Sequence, residues 1–283
     1  MRRVLLVGIN KYPSQPLKGC INDVDNMYLY LKSKKFSDNE ITILKDHYAT
    51  KDEILNNLKK IVNDSKPGDS LLFQFSGHGV QIPSKNKNDE WDGLDECLCP
   101  YDFDWDNEMF IRDNKLQEIF MKLPKDVYCY VISDSCHSGT LGIDYNNKTM
   151  KNFMGYFKSL KNTSKTMPIP DHLILAKEII ANQIKTFNPV GFMRGVKKIP
   201  HIALISACES HQTASDTIIN GKPTGALTYY LLEQLRRVSS AYLPMTTVVN
   251  NVRNQLIKNK YAQNPGIEGP IDIISNPFLH GYK

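Results

Sequence analysis

The sequence predicts an α/β fold, a mostly parallel sheet covered on both faces by helices. Two observations carry this. Short runs rich in Val, Ile, Leu, Phe and Tyr alternate with helical patterns, the signature of strand–helix–strand units. Two such runs end in the strings Ser76-Gly77-His78-Gly79 and Asp134-Ser135-Cys136-His137-Ser138-Gly139. In open parallel sheets the ligand sits beyond the carboxyl ends of the strands, which is where both strings fall.

The elements follow in order. Val4–Ile9 reads as the first strand. After Cys20, Ile21, Val24, Tyr28 and Leu31 recur at helical spacing. Ile41–Leu44 is the second strand, and Thr50-Lys51-Asp52-Glu53 is a capping box. That box opens a helix whose Ile54, Leu58 and Ile61 share one face. Ser70–Ser76 is the third strand. Leu116, Ile119, Phe120 and Leu123 mark a helix that Pro124 stops. Val127–Ser133 and His201–Ala207 complete the strands, and Ala226–Arg237 and Val248–Ile257 are the last helices. The stretch 145–200, with Pro168, Pro170 and a helical patch near Ile174–Ile184, breaks the alternation. It reads as a long insertion between two sheet strands within one domain, residues 1–283. Loops of that length are usually functional or disordered.

Composition narrows the class. Hydrophobic residues make up 41% and charged residues 23% of the 283 residues, ordinary for a soluble globular chain. No run approaches the roughly 18 apolar residues of a membrane span, so no membrane partner is expected. The apolar run at the N-terminus is too short for a secretory signal, which predicts a cytoplasmic protein. Of the six cysteines only Cys97 and Cys99 lie close together, and that spacing suits neither a zinc site nor a redox motif. The insertion carries ten Lys or Arg against two acids, while the whole chain is only +5. Nucleic-acid binding and a solvated, protease-accessible loop both produce such a segment; the loop is the reading adopted, and no nucleic-acid partner is expected.

The chemistry rests on Cys136 and His78. A free thiol near pKa ~8.5 is only slightly ionised at neutral pH, so a nucleophilic cysteine needs a base. Against a plain core thiol stand the small residues that follow Cys136, the carboxylate of Asp134 two residues before it, and the second strand end at His78. The glycines beside His78 let backbone approach a substrate closely. The N–H groups of Gly79 and Cys136 would then form an oxyanion hole. His137 is a poor base for Cys136, because adjacent side chains diverge.

The paired strings resemble those of caspase-like cysteine peptidases of the metacaspase and orthocaspase type, closest to the bacterial-style metacaspases. The resemblance extends through Val4-Leu5-Leu6-Val7-Gly8-Ile9-Asn10-Lys11-Tyr12, Leu17-Lys18-Gly19-Cys20-Ile21-Asn22-Asp23 and Asp92-Gly93-Leu94-Asp95-Glu96. Ile205-Ser206-Ala207-Cys208 and Gly225-Ala226-Leu227-Thr228 carry it into the C-terminal half. It implies a caspase-like three-layer α/β/α sandwich and an endopeptidase with a His78–Cys136 dyad.

By position, Asp23 and Asp134 match acids lining the specificity pocket, with Ser76 and Cys20 nearby. Two carboxylates suit a guanidinium or ammonium group, so cleavage after Arg or Lys is expected. A charge pair at about 4 Å is worth about 4 kcal/mol at an effective dielectric near 20, before desolvation subtracts from it. The alternative is that Asp23 caps a helix and Asp134 orders a loop. No cofactor is required by the chemistry, but the resemblance also marks a calcium cluster at Asp95, Asp113, Asn114 and Asp144. Asn114 replaces an acid there, and Asp144 is shifted by about one residue. Asp102-Phe103-Asp104-Trp105-Asp106 reads as a solvated acidic loop. The resemblance implies a monomer, protein or peptide substrates with basic residues, a regulatory partner protein or self-cleavage within 145–200 as the trigger, and a stable flap as the alternative to self-cleavage. Two other functions stay open: a catalytically silent caspase-like scaffold that binds proteins, and a metal hydrolase built on His78, Cys136 and His137.

Overall fold

A computed structural model describes residues 1–84, 94–135, 163–167, 170, 202–208, 214–237 and 242–279. Cys136, His137, Asp144 and the helical patch expected near 174–184 lie outside the described residues.

The chain runs β1 (Arg2–Gly8), α1 (Cys20–Ser33), β2 (Ile41–Lys45), α2 (Lys51–Asn63), β3 (Ser70–Ser76), β4 (Gly79–Pro83), β5 (Leu94–Leu98) and β6 (Ile111–Arg112). It continues with α3 (Asp113–Phe120), β7 (Tyr128–Asp134), β8 (Thr163–Ser164), β9 (Ile202–Ser206), β10 (Ser215–Ile219) and β11 (Lys222–Gly225). Then follow α4 (Ala226–Leu235), α5 (Met245–Lys258), β12 (Gly266–Glu268) and α6 (Ile271–Ile274). Among the described residues the main sheet has the order β12-β9-β7-β3-β1-β2. Its strands are parallel except β12, which pairs antiparallel with β9.

The layers follow from the pleat. Leu5 and Val7 of β1 and Phe73 and Phe75 of β3 pack with Ile54, Leu58, Leu116 and Phe120 of α2 and α3. Val4, Leu6 and Leu72 point the other way, against Val24, Met27 and Leu31 of α1 and Leu231 and Val248 of α4 and α5. Successive strand residues face opposite sides, so a strand buried on both faces is apolar along its length. On α1 the buried stripe is Val24, Met27, Tyr30 and Leu31, while Ile21 and Tyr28 lie at its margin. Asp23 also sits on that buried face, for a reason given below.

Register sets the site. Gly8 pairs with Ser76, and Ser76 pairs with Asp134. Three parallel strands therefore end level, and the residues after them converge. Two small sheets flank this end, β4-β5-β6 and β11-β10-β8. The second includes β8, a piece of the insertion, paired antiparallel with β10 through Ser164–Ser215 and Thr163–Asp216. The expected Thr50 cap is present, its hydroxyl accepting from the Glu53 N–H at 3.3 Å. The Asp102 loop is less solvated than expected: Asp102 accepts from Lys51 N–H at 2.8 Å, and Phe103 and Trp105 pack on the core.

Candidate active site

His78 follows β3 and is buried. Its Nε2 lies 2.6 Å from the Gln15 carbonyl oxygen. A carbonyl can only accept, so Nε2 carries the hydrogen, and in the neutral ring Nδ1 keeps the lone pair. Nδ1 is buried with no hydrogen-bond partner among the described residues. Burial lowers the His78 pKa below the ordinary histidine value, which favours that neutral form. Gln15 has φ of 58°, a left-handed conformation that a non-glycine residue keeps only where its surroundings impose it. Tyr12 packs against the imidazole in a tilted arrangement with centroids 4.6 Å apart, accepts from the His78 N–H at 3.0 Å and donates to Cys99 O at 2.8 Å. A side chain on Gly77 would meet the Tyr12 hydroxyl at 2.5 Å. The small residue before His78 thus makes room for Tyr12, not for a substrate.

Asp23, Asp134 and Ser76 come together around one point, with Cys20 beside them. Asp23 lies in the first turn of α1 and points inward. One carboxylate oxygen accepts from Thr224 Oγ1 at 2.7 Å and Gly225 N–H at 2.8 Å; the other accepts from Ser76 Oγ at 2.6 Å. Asp134, at the end of β7, accepts from the N–H and hydroxyl of Thr228 at 2.9 and 2.7 Å. It thereby satisfies the first turn of α4, whose N-cap residue Gly225 has no side chain to do so. The loop-ordering alternative for Asp134 is thus replaced by a helix cap, on α4, while Asp23, the residue for which a helix cap was the alternative, bonds to Thr224, Gly225 and Ser76 instead. Cys20 is fully buried, and burial pushes its thiol pKa up, so it is a wall of the pocket and not a second nucleophile.

The pocket is filled by a residue that sequence reading missed. Lys165, directly after β8, is fully buried, and its Nζ lies between the two acids. It sits 3.0 Å from Asp134 Oδ1, 3.3 Å from Asp23 Oδ2, 3.0 Å from Ser76 Oγ and 3.1 Å from the Asp134 carbonyl. Burial alone would lower the ammonium pKa; Asp134, Asp23 and Asp216 outweigh it and hold Lys165 charged. Asp23 itself is raised by burial, with Lys165 opposing the shift. The backbone of Lys165 is held as firmly: its N–H donates to Ala214 O at 3.2 Å, and its carbonyl accepts from Gly79 N–H at 3.0 Å. Met167 N–H donates back to Gly79 O at 3.3 Å. Gly79, the expected oxyanion donor, is therefore bonded to the carbonyl of the residue whose side chain fills the acidic pocket.

Asp216 on β10 was also missed. It is buried, and it accepts from Lys18 and Gly19 N–H at 2.7 and 2.8 Å, fixing the backbone that enters α1 just ahead of Cys20 and Asp23. Burial raises its pKa, with Lys165 opposing. Nothing in the local sequence marks Lys165 among the other lysines of the insertion, or Asp216 among surface acids; only the β8–β10 pairing brings both here.

The calcium positions fare differently. Asp95 and Asp113 are buried, but Asp95 is ion-paired with the Arg112 guanidinium, and Asp113 accepts the Asn114 N–H at 2.9 Å. Calcium takes six to eight oxygen ligands, and among the described residues no group of three or more His, Cys, Asp or Glu is placed to hold a metal. Asp144, the fourth position of the expected cluster, lies outside the described residues. The five described cysteines are buried free thiols, and among the described residues no helix is long and apolar enough to cross a membrane.

A family model for the metacaspase peptidase C14 domain matches residues 2–145. Metacaspase-1 of Mycosarcoma maydis is 29% identical over 293 aligned residues, spanning 96% of this chain and 71% of that protein. Metacaspase-1 of Schizosaccharomyces pombe is 30% identical over 297 residues, spanning 96% and 68%. A solved Geobacter sulfurreducens protein superposes with a TM-score of 0.67 at 22% identity, covering 99% of each chain, a likeness of fold alone.

Proposed function

The chain belongs to the metacaspases, cysteine peptidases of the C14 type, and on that premise we propose that it cuts peptide bonds after lysine or arginine and is held shut by its own Lys165. One observation supports the specificity. A lysine ammonium, fully buried, lies within 3.3 Å of Asp23, Asp134 and Ser76. Burying a charge is costly unless it is paired and hydrogen-bonded; this pocket meets both conditions for a basic side chain of that length.

The pose of Lys165 supports the closed state. Its side chain fills the pocket, its N–H and carbonyl are bonded as a substrate's would be, and its carbonyl faces the Gly79 N–H. The bond that follows, Lys165–Thr166, is then the chain's first substrate, and its scission frees Lys165 to leave the pocket.

The chemistry needs only the chain's own groups. His78 Nδ1 takes the proton of the Cys136 thiol, and the thiolate attacks the carbonyl carbon. The oxyanion is held by the Gly79 and Cys136 N–H groups. Nδ1–H then protonates the leaving amine, which departs with the C-terminal piece and leaves a thioester on Cys136. Water, giving its proton to Nδ1, hydrolyses the thioester to the carboxylate product and the free thiol. The Gln15 carbonyl keeps the imidazole in the tautomer this requires.

Fluorogenic peptides ending in Arg, Lys, Asp or Ala test the reading. Cleavage of the Arg and Lys peptides alone, lost in Cys136→Ala, is expected. Cleavage after Asp or Ala would contradict the acidic pocket, and no cleavage by a protein already cut after Lys165 would favour a silent scaffold.

A further inference from the structure

The motif Gly225-Ala226-Leu227-Thr228 marks the family resemblance but has no part in the dyad. We propose that the stretch from Thr224 to Thr228 is the floor of the pocket and that Gly225 is a specificity-determining residue, its missing side chain being the space in which the two carboxylates and the basic group meet. This rests on the reading that the pocket takes lysine and arginine side chains.

The backbone at Gly225 has φ −71° and ψ 133°, a conformation open to any residue. Glycine is thus not there for its conformational freedom. A Cβ at this position would fall 2.2 Å from Asp134 Oδ2, 2.5 Å from Lys165 Nζ and 2.6 Å from Asp23 Oδ2. The two carboxylates are not free to retreat. Asp23 is pinned through one oxygen by Thr224 Oγ1 and the Gly225 N–H, and through the other by Ser76 Oγ. Asp134 Oδ2 is pinned by the N–H and hydroxyl of Thr228. The ammonium, at the end of a four-carbon chain, can move away, but the carboxylates can give way only by leaving their anchors. A methyl group on Gly225 therefore spoils the cradle twice, by crowding the cation and by pressing Asp134 and Asp23 off the geometry that receives it. Thr228 plays a different part: it touches no substrate and acts through Asp134, so it is a positioning residue.

Both positions are tested in a Lys165→Ala background, where the chain's own lysine no longer fills the pocket. Gly225→Ala is expected to lower kcat/KM for Arg and Lys peptides at least roughly a hundredfold, the scale of losing a buried hydrogen-bonded charge pair. Alkylation of Cys136 by iodoacetamide, which carries no basic group, should proceed at the parent rate and report a folded site. Thr228→Val should raise KM about tenfold with kcat little changed, as for loss of one hydrogen bond to a charged group, and Thr228→Ser should restore it. A Gly225→Ala protein that still cleaves both peptides within about threefold, less than the ~1.4 kcal/mol of a tenfold change, overturns the assignment. If that variant does not fold, an unchanged KM in Thr228→Val, or no rescue by serine, overturns it instead. A parent protein that cleaves no basic peptide sinks the functional reading first, which keeps the two failures apart.

Discussion

At His78 two physical effects act on one side chain. The Gln15 carbonyl, 2.6 Å from Nε2, decides which nitrogen carries the hydrogen, and burial lowers the ring's pKa against the opposing backbone groups of Gln15 and Lys165. Because the folded pKa lies below the unfolded value of ~6.5, the unfolded chain binds more protons between the two values. His78's contribution to stability is therefore present above pH ~6.5 and is lost as pH falls through the folded pKa. The acid limb of kcat/KM is likewise expected to have its midpoint below pH ~6.5; a midpoint above it in a pH–rate profile would contradict a buried neutral base. Lys165 gives a second test. Lys165→Ala leaves two buried acids without their cation, which costs about 3 kcal/mol of stability by the scale of broken buried pairs. The same variant should cleave basic peptides with no lag, where the wild type is expected to show one. Denaturant unfolding and progress curves read the two effects, and a lag that persists in the variant would separate Lys165 from closure.

Among the elements, the five parallel strands of the main sheet were legible as continuous apolar runs, most of all β1, β3, β7 and β9, which are buried on both faces; the short, half-buried antiparallel β12 was not. The flanking ribbons were not. β4 is interrupted by Gln81 and ends in Pro83, β11 contains Pro223, and β6 and β8 have only two residues each. Short edge strands with prolines lack the pattern that marks a strand. Yet these ribbons carry much of the site. β8 brings Lys165, β10 brings Asp216, and β11 leads into Gly225. Asp23 and Asp134 were legible as acids at special places, but their partners Thr224 and Thr228 lie more than 90 positions away from them in sequence. Asp216→Asn keeps the shape at the entry to α1 but replaces an ionised acceptor by a neutral one, where hydrogen bonds to charge are about twice as strong. A raised KM for Arg peptides with kcat nearly unchanged is expected, because the substitution loosens the backbone ahead of Asp23 and not the dyad. Unchanged steady-state kinetics would show that the Lys18–Gly19 backbone needs no such anchor.

Across the molecule, the level strand ends and the two covering helical layers explain why distant stretches of sequence converge on one pocket. The family's fold and general chemistry could be read from the strings around His78 and Cys136. The proposed closure by Lys165 could not, because it depends on the pairing of the two-residue β8 with β10. The charge distribution bears on calcium as well. Arg112 already supplies a cation to Asp95, so saturating calcium is expected to shift Tm by less than about 2 °C, under about 1 kcal/mol for a domain of this size. A rise of many degrees, reversed by chelator, would show that a metal displaces the guanidinium.

Identifying the new N-terminus after long incubation of the purified protein, by intact-mass analysis and end sequencing, tests closure by Lys165 most directly. A fragment beginning at Thr166 in the wild type, and none in Cys136→Ala, is the expected result. A wild type that stays intact while it cleaves Arg and Lys peptides, or one cut alike with and without Cys136, would contradict it.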